Sequence, residues 1–363
     1  MAGALAGLTI VEMAGLGPGP FAAMMLGDHG ARVIRVERAG NLGVPNDPLT
    51  RNRRSIALDL RHDEGREVVR RLAERADGLI EGYRPGVMER LGLGPDDLLG
   101  RNPALVYGRV TGWGQDGPLA REAGHDINYV ALTGLLGCIG EADRPAVPPL
   151  NLVGDYAGGG LMLAFGMVSA LLHVQRGGAG QVIDAAMTDG AALTGALIFG
   201  LRAAGLWKEE RGANLLDGGD PIYGCYTCAD GKELSVGAVE PQFRAALFAG
   251  LGLGGAPTKV EVAAAIAAKP RDEWIALFAG KDACVAPVLS LSEAPQHPHN
   301  RARGTFIELG GVVQPGPAPR LSATPAVKPE PPRTEGEDGP AILADLGYSD
   351  TDIGELRRKG VLG

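Results

Sequence analysis

The feature that most constrains the fold is a strand–helix–strand cycle that occurs twice near the start of the chain. Leu8–Met13 is a short apolar run, Gly15-Leu-Gly-Pro-Gly-Pro20 interrupts it, Phe21–Gly27 has a helical pattern, and Arg32–Glu37 is again strand-like. Parallel strands need such a crossover, whereas antiparallel strands can be joined by a hairpin. In the second cycle Ser55–Leu60 reads as strand, Asp63–Ala76 as amphipathic helix and Gly78–Glu81 as strand, with Leu105–Val110 as another. The sequence therefore predicts an α/β chain with a large, open, mostly parallel Rossmann-like domain. Gly154–Arg176 reads as a long helix, apolar nearly all round and so buried between layers. Gln181–Ala185 and Thr188–Leu201 read as a further strand and helix.

The pattern then changes. Arg211–Asp220 turns to Gly, Asn and Asp, and Asp230-Gly231 between Ile222–Cys228 and Glu233–Val236 signals a hairpin. Pro241–Leu251 resumes as helix. The expected organisation is a large domain over 1–187, a linker over 188–219 and a smaller α+β domain over 220–309. Residues 310–340 are Pro-rich and aperiodic, an expected extended linker. Residues 341–363 then return to the large domain as terminal helices.

Composition excludes several classes. With 45% apolar and 21% charged residues over 363 positions, the chain is globular, and at 5% aromatic its core is aliphatic. A net charge of −8 argues against nucleic acid as a partner. It leaves room for an anionic ligand held by a local group of arginines. No run of about 18 apolar residues lacks polar ones, so no membrane span is expected. Of Cys138, Cys225, Cys228 and Cys284, only Cys225 and Cys228 have C-x-x-C spacing, and no further ligands accompany them. A metal site is not expected; two small residues in a hairpin are. There is no charged-then-apolar leader, and Gly-Val-Leu-Gly is not a peroxisomal tripeptide. A cytoplasmic enzyme with reduced thiols is the expectation.

Gly15-x-Gly17 follows a strand and precedes a helix, and Glu37 ends the next strand about 20 residues on, where a ribose-binding acid would sit. Pro20, however, stands where the dinucleotide fingerprint needs a small residue. Pro18 and Pro20 also remove N–H donors that a pyrophosphate would use. A tight turn into a helix with Pro in its first turn is the better reading.

Arginines offer a different anion site. Arg38 follows the second strand, Arg51, Arg53 and Arg54 cluster in Arg-Asn-Arg-Arg, Arg61 follows the third strand, and Arg84 and Arg90 lie beyond the fourth. Ligands of open α/β sheets gather at the carboxyl ends of strands, and the planar guanidinium suits phosphate. Arg38, Arg61 and Arg84 would thus converge on one edge.

Two segments carry candidates for chemistry. In Gly124-His125-Asp126-Ile-Asn128-Tyr129 the Asp126 N–H would open a helix, where backbone donors favour negative charge. In Asn-Leu-Val-Gly-Asp155-Tyr, Asp155 stands at the mouth of the long apolar helix, as a cap or a functional group.

Together with Glu-Gly-Tyr-Arg-Pro-Gly (81–86), Thr-Gly-Trp-Gly-Gln-x-Gly-Pro (111–118), Gln-Val-Ile-Asp-Ala-Ala-Met (181–187) and Glu-Pro-Gln-Phe (240–243), these two segments resemble the α-methylacyl-CoA racemase family. The likeness runs from the first strand to about Arg320. The same superfamily holds the family III CoA transferases, which share the fold and an aspartate at position 155 but usually carry another residue, often aromatic, at position 125. His125 with Asp155 is therefore the racemase signal; the alternatives are a family III CoA transferase with Asp155 as nucleophile and a non-catalytic CoA-binding dimer. The resemblance implies an interlocked homodimer acting on acyl-CoA, with no cofactor beyond the substrate's coenzyme A. It implies that His125 and Asp155 are the two acid/base residues, with Glu240 approaching the histidine from a second chain. It places coenzyme A against Arg38, Leu58, Arg61 (usually Lys), Tyr83, Arg84, Arg90, Gly124, Asn128 and Tyr129. Met13, Met24, Met25 and Met88 could line an adaptable acyl surface, although core packing suits each of them better.

Overall fold

The structure, a computed structural model, describes residues 2–40, 44 and 46–363. The chain divides into two compact units. One comprises Met1–Thr133, Leu150–Thr194 and Phe306–Gly363, the other Gly134–Pro149 and Gly195–Thr305.

The first unit is built on six parallel strands: β1 (Thr9–Met13), β2 (Arg32–Glu37), β3 (Arg53–Ala57), β4 (Gly78–Glu81), β5 (Val106–Thr111) and β6 (Gln181–Ala186). Their order is β3-β2-β1-β4-β5-β6. The chain winds outward from β1 to β3 and then returns to the other side of β1, so strand order reverses between β1 and β4. At that point loops diverge from the carboxyl ends, which is where sheets of this kind form a crevice. Alternate residues face opposite layers. Val11, Met13, Ile34, Leu79 and Tyr107 meet the helix Asp63–Glu74 and the terminal helices Gly339–Asp345 and Asp350–Arg358. Ile10, Val33, Ile80 and Val106 meet the helices Pro18–Asp28 and Met162–Gln175.

Several boundaries differ from the sequence reading. β3 begins at Arg53 rather than Ser55 and ends at Ala57. The expected helix 188–201 is two, Met187–Thr194 and Ala196–Ala203. At the Gly195 break a Cβ would lie 2.4 Å from the Leu135 side chain. The expected linker 188–219 thus contains helices and is divided between the units, and Gly134–Pro149 belongs to the second unit. Residues 310–340 do not bridge units. The segment opens with the hairpin of β10 (Phe306–Leu309) and β11 (Val312–Pro315), whose first strand was expected in the smaller domain. It then follows the first unit through Val327 N–H to Asp28 O (2.9 Å), Glu330 N–H to Asn52 Oδ1 (2.6 Å) and Asp338 N–H to Ser55 O (3.0 Å).

The long apolar helix runs over Leu152–Gln175. By length and composition alone it is apolar enough to cross a membrane, a test that buried core helices also pass, and it carries Asp155 among its polar residues. It is not buried all round: Leu163, Met167, Ala170 and Leu171 enter the core, while Phe165 is 72% exposed.

The second unit carries an antiparallel sheet of β7 (Tyr223–Thr227), β8 (Glu233–Gly237) and β9 (Val285–Val288). Gly231, with φ of 74°, turns the β7–β8 hairpin as its sequence predicts. Trp274, Phe278 and Leu247, from helices Arg271–Phe278 and Pro241–Leu251, pack with Tyr226 and Leu234 of the sheet.

Candidate active site

The site begins with the loop between β1 and the helix Pro18–Asp28. Glu12, wholly buried near the end of β1, accepts hydrogen bonds from Arg35 and from Arg53 Nε (2.9 Å). Arg53 Nη2 also donates to Pro20 O (2.6 Å), which ties the first turn of that helix to the sheet. Gly17, at φ 67°, makes the turn. This network corrects one reading of the arginine cluster. Arg51 forks onto Asp28 (2.9 and 2.6 Å), Arg53 serves Glu12, and Arg54 pairs with Asp345 (3.0 Å). These three arginines already hold protein partners at the amino end of β3.

The strand-end arginines lie elsewhere. A cleft of about 200 Å³ is lined by Glu37, Arg38, Leu58, Asp59, Arg61 and Tyr83. A second, of about 220 Å³, includes Met13, Tyr83, Arg84, Trp113, Gly124 and His125. Tyr83 borders both, so the two clefts adjoin along the carboxyl edge of the sheet. Arg38, Arg84 and Arg90 are exposed. Arg61 is held by Asp59 through Nε and Nη2 (3.0 and 2.6 Å), a pairing that keeps the Asp59 carboxyl well below its usual range. The Leu58 side chain points into the core, so only its remaining surface walls the cleft. Met13 and Met88 are core residues as well. Tyr83 is placed by Glu81, whose Oε2 accepts from Tyr83 N–H (2.7 Å) and whose Oε1 accepts from Arg109 (2.7 Å). Burial nevertheless raises the Glu81 carboxyl.

His125 is the residue before the helix Asp126–Leu132 and lies exposed at the second cleft. Its N–H donates to Asn128 Oδ1 (3.0 Å). The Tyr129 hydroxyl donates to Gly124 O, and its ring meets Trp113 edge-on at 4.7 Å. This packing requires glycine on both sides: a Cβ on Gly112 or Gly124 would come within 2.0 or 2.7 Å of the Tyr129 ring.

Asp155 lies in the first, widened part of the long helix, Leu152–Leu161, where Tyr156 N–H bonds back five residues to Asn151 O (3.3 Å). Gly158, Gly159 and Gly160 bring this stretch against Pro18, Met187 and Ala191 at distances no Cβ would allow. Asp155 N–H donates to Asp126 Oδ1 (2.6 Å), and Asn151 Nδ2 donates to Asp155 Oδ2 (3.1 Å). Gly17 faces the same carboxylate: a Cβ there would be 3.2 Å from Asp155 Oδ2. Burial pushes the Asp155 carboxyl up, with the charge of Asp126 adding to it, while Asn151 and His125 act the other way.

His125 and Asp155 are thus joined through Asp126, neighbour to one and hydrogen-bond partner of the other. Glu240 lies in the second unit, exposed, just before the helix Pro241–Leu251. Sequence reasoning gave no role to Asn151, Trp113 or the Asp126 carboxylate. Asn151 was within reach, four residues from Asp155 at the head of a helix. The others depend on contacts between distant segments. An exposed imidazole and a half-buried carboxyl with raised affinity for its proton are equipped for acid/base work.

Comparison with known proteins finds relatives over nearly the whole length of the chain. Alpha-methylacyl-CoA racemase of Mus musculus is 46% identical, with 97% of this chain and 96% of the relative covered. The Homo sapiens racemase is 45% identical, with 99% and 97% covered. A crystal structure of a CAIB/BAIF family protein from Brucella suis superposes with a TM-score of 0.83 at 28% identity, over 95% of this chain and 100% of that one. The family model that matches, over residues 5–339, is that of the CoA-transferase family III, and the chain belongs to that family.

Proposed function

We propose that this protein racemises 2-methyl-branched acyl-CoA thioesters by moving the α-proton from one face to the other. The observation that carries the reading is the linkage of His125 to Asp155 through Asp126, beside adjoining clefts lined by Arg84 and by Arg38 and Arg61. Relatives at 45 and 46% identity that bear the racemase name support it.

In this reading one of the two residues removes the α-proton, and the bonding pair moves onto the thioester oxygen as an enolate. The Asp126 N–H, at the first position of its helix and without an intrahelical carbonyl to bond, stabilises that oxygen. The other residue then delivers its proton to the opposite face. The raised Asp155 carboxyl suits this duty because it brings the proton affinity of the acid closer to that of an imidazole. Coenzyme A lies along the adjoining clefts, with Arg38 and Arg84 on its phosphates and Tyr83 between them. Leu58, Gly124, Asn128 and Tyr129 shape the walls, Arg61 exchanges Asp59 for phosphate, and Arg90 adds charge. No cofactor beyond the substrate's own coenzyme A is required. The active form is an interlocked homodimer in which Glu240 of a second copy orients His125.

The test is NMR of each pure enantiomer of a 2-methylacyl-CoA with the enzyme in deuterated water. Deuterium uptake at the α-carbon with inversion is the expected result. Transfer of coenzyme A to an added acid such as oxalate, without α-exchange, would instead identify a transferase with Asp155 as nucleophile.

A further inference from the structure

The mechanism above uses the backbone N–H of Asp126 but not its side chain. Asp126 is only 6% exposed, an unusual place for a carboxylate. Its Oδ1 accepts from Asp155 N–H at 2.6 Å, and its Oδ2 is buried without a partner among the described residues. Gly154 leaves the space for it, since a Cβ there would stand 2.5 Å from Asp126 Oδ1. A buried carboxylate with one idle oxygen costs stability, and an asparagine of nearly the same shape would accept the same hydrogen bond. The charge itself therefore needs a use.

We infer that the Asp126 carboxylate is a positioning residue for Asp155, fixing its backbone and keeping a second negative charge beside it. The groups that face Asp155 are few. Asn151 donates from its own helix, His125, Asp126 and Tyr129 come from the segment across from it, and Gly17 approaches its carboxylate. Among the described residues Asp126 is thus the one acidic side chain opposed to it, and its charge makes the Asp155 proton harder to lose. In the proposed reaction Asp155 must hold its proton in one direction and be ionised in the other. By making that proton harder to lose, Asp126 favours the form that one direction requires.

The inference rests on the proposed racemisation for its meaning but is measured without it. Protein labelled with ¹³C at aspartate Cγ, with the Asp155 resonance identified from Asp155→Asn, reports the titration of this carboxyl directly. Asp126→Asn keeps an acceptor and removes the charge, and the Asp155 midpoint should fall by about half a pH unit or more. Asn151→Ala removes a donor to the ionised form, so the midpoint should rise. In turnover, the acid limb of kcat/KM should move down with Asp126→Asn, and the loss should fall on kcat with KM nearly unchanged. If Asp126→Asn does not fold, Asp126→Ser offers another neutral acceptor. A midpoint that stays put or rises in the neutral Asp126 variant overturns the inference. Wild-type protein that shows no α-exchange overturns the racemase reading instead and leaves the titration result standing.

Discussion

Arg53 and Arg38 carry the same guanidinium to opposite ends of the sheet. Arg53, at the amino end of β3, is a buried counterion of Glu12; Arg38, past the carboxyl end of β2, is exposed at a cleft. Their expected losses differ accordingly. Glu12→Gln leaves Arg53 without its counter-charge in the core and should cost roughly 3–5 kcal/mol in denaturant unfolding. A cost under about 1 kcal/mol would mean that the network contributes little. Arg38→Ala should leave stability alone and raise KM for acyl-CoA with less change in kcat, because a phosphate contact is made equally in ground and transition states. An unchanged KM would remove Arg38 from the ligand site. At His125 and Asp155 the expectation is symmetrical. Each is base for one enantiomer and acid for the other, so either alanine variant should lose racemisation of both by about 10²-fold or more. Deuterium exchange without inversion should survive for one enantiomer in each variant, and for a different one. A near-normal racemisation rate in Asp155→Ala would end the two-base assignment.

At the scale of elements, the sequence was most legible where one segment decides its own structure. β2 and β4 fall on the stretches that their patterns predict, and Pro241–Leu251 begins at its proline and ends before Gly252 in a left-handed conformation. It was least legible where two segments decide together. The break at Gly195 depends on Leu135, and the widened turn around Asp155 depends on Met187 and Pro18. Nothing within either segment announces those neighbours. The candidate site divides the same way: the arginines after strands were readable from topology, whereas Asp126 against Asp155 was not. The widened helix is also where small changes should do most harm. A Cβ on Gly190 would lie 1.9 Å from Gly158 O, and backbone cannot yield as a side chain can. Gly190→Ala should therefore lower stability by about 1–3 kcal/mol and depress kcat by displacing Asp155. Gly354→Ala is the contrast: it lies exposed within Asp350–Arg358 with nothing within 4 Å of a Cβ, and should gain about 0.5–1 kcal/mol. Thermal unfolding distinguishes the two, and equal effects would refute the packing account.

At the scale of the molecule, Leu161, Phe165, Val168 and Leu172 recur at helical spacing and are each at least 40% exposed. A stripe of this kind on one helix is what a second copy would cover in the proposed homodimer. Phe165→Glu should then weaken association, with sedimentation giving a mixture of monomer and dimer where the wild type gives dimer alone. A wild-type protein that sediments as an active monomer would contradict the assembly. The adjoining clefts along the sheet edge have a consequence for substitution as well. The arginines that would grip the nucleotide come from turns after β2, β3 and β4, while the proton-handling groups come from segments after β5 and from the long helix. The two sets stand on different segments, so a substitution at positions 125 or 155 leaves the arginines at the strand ends in place.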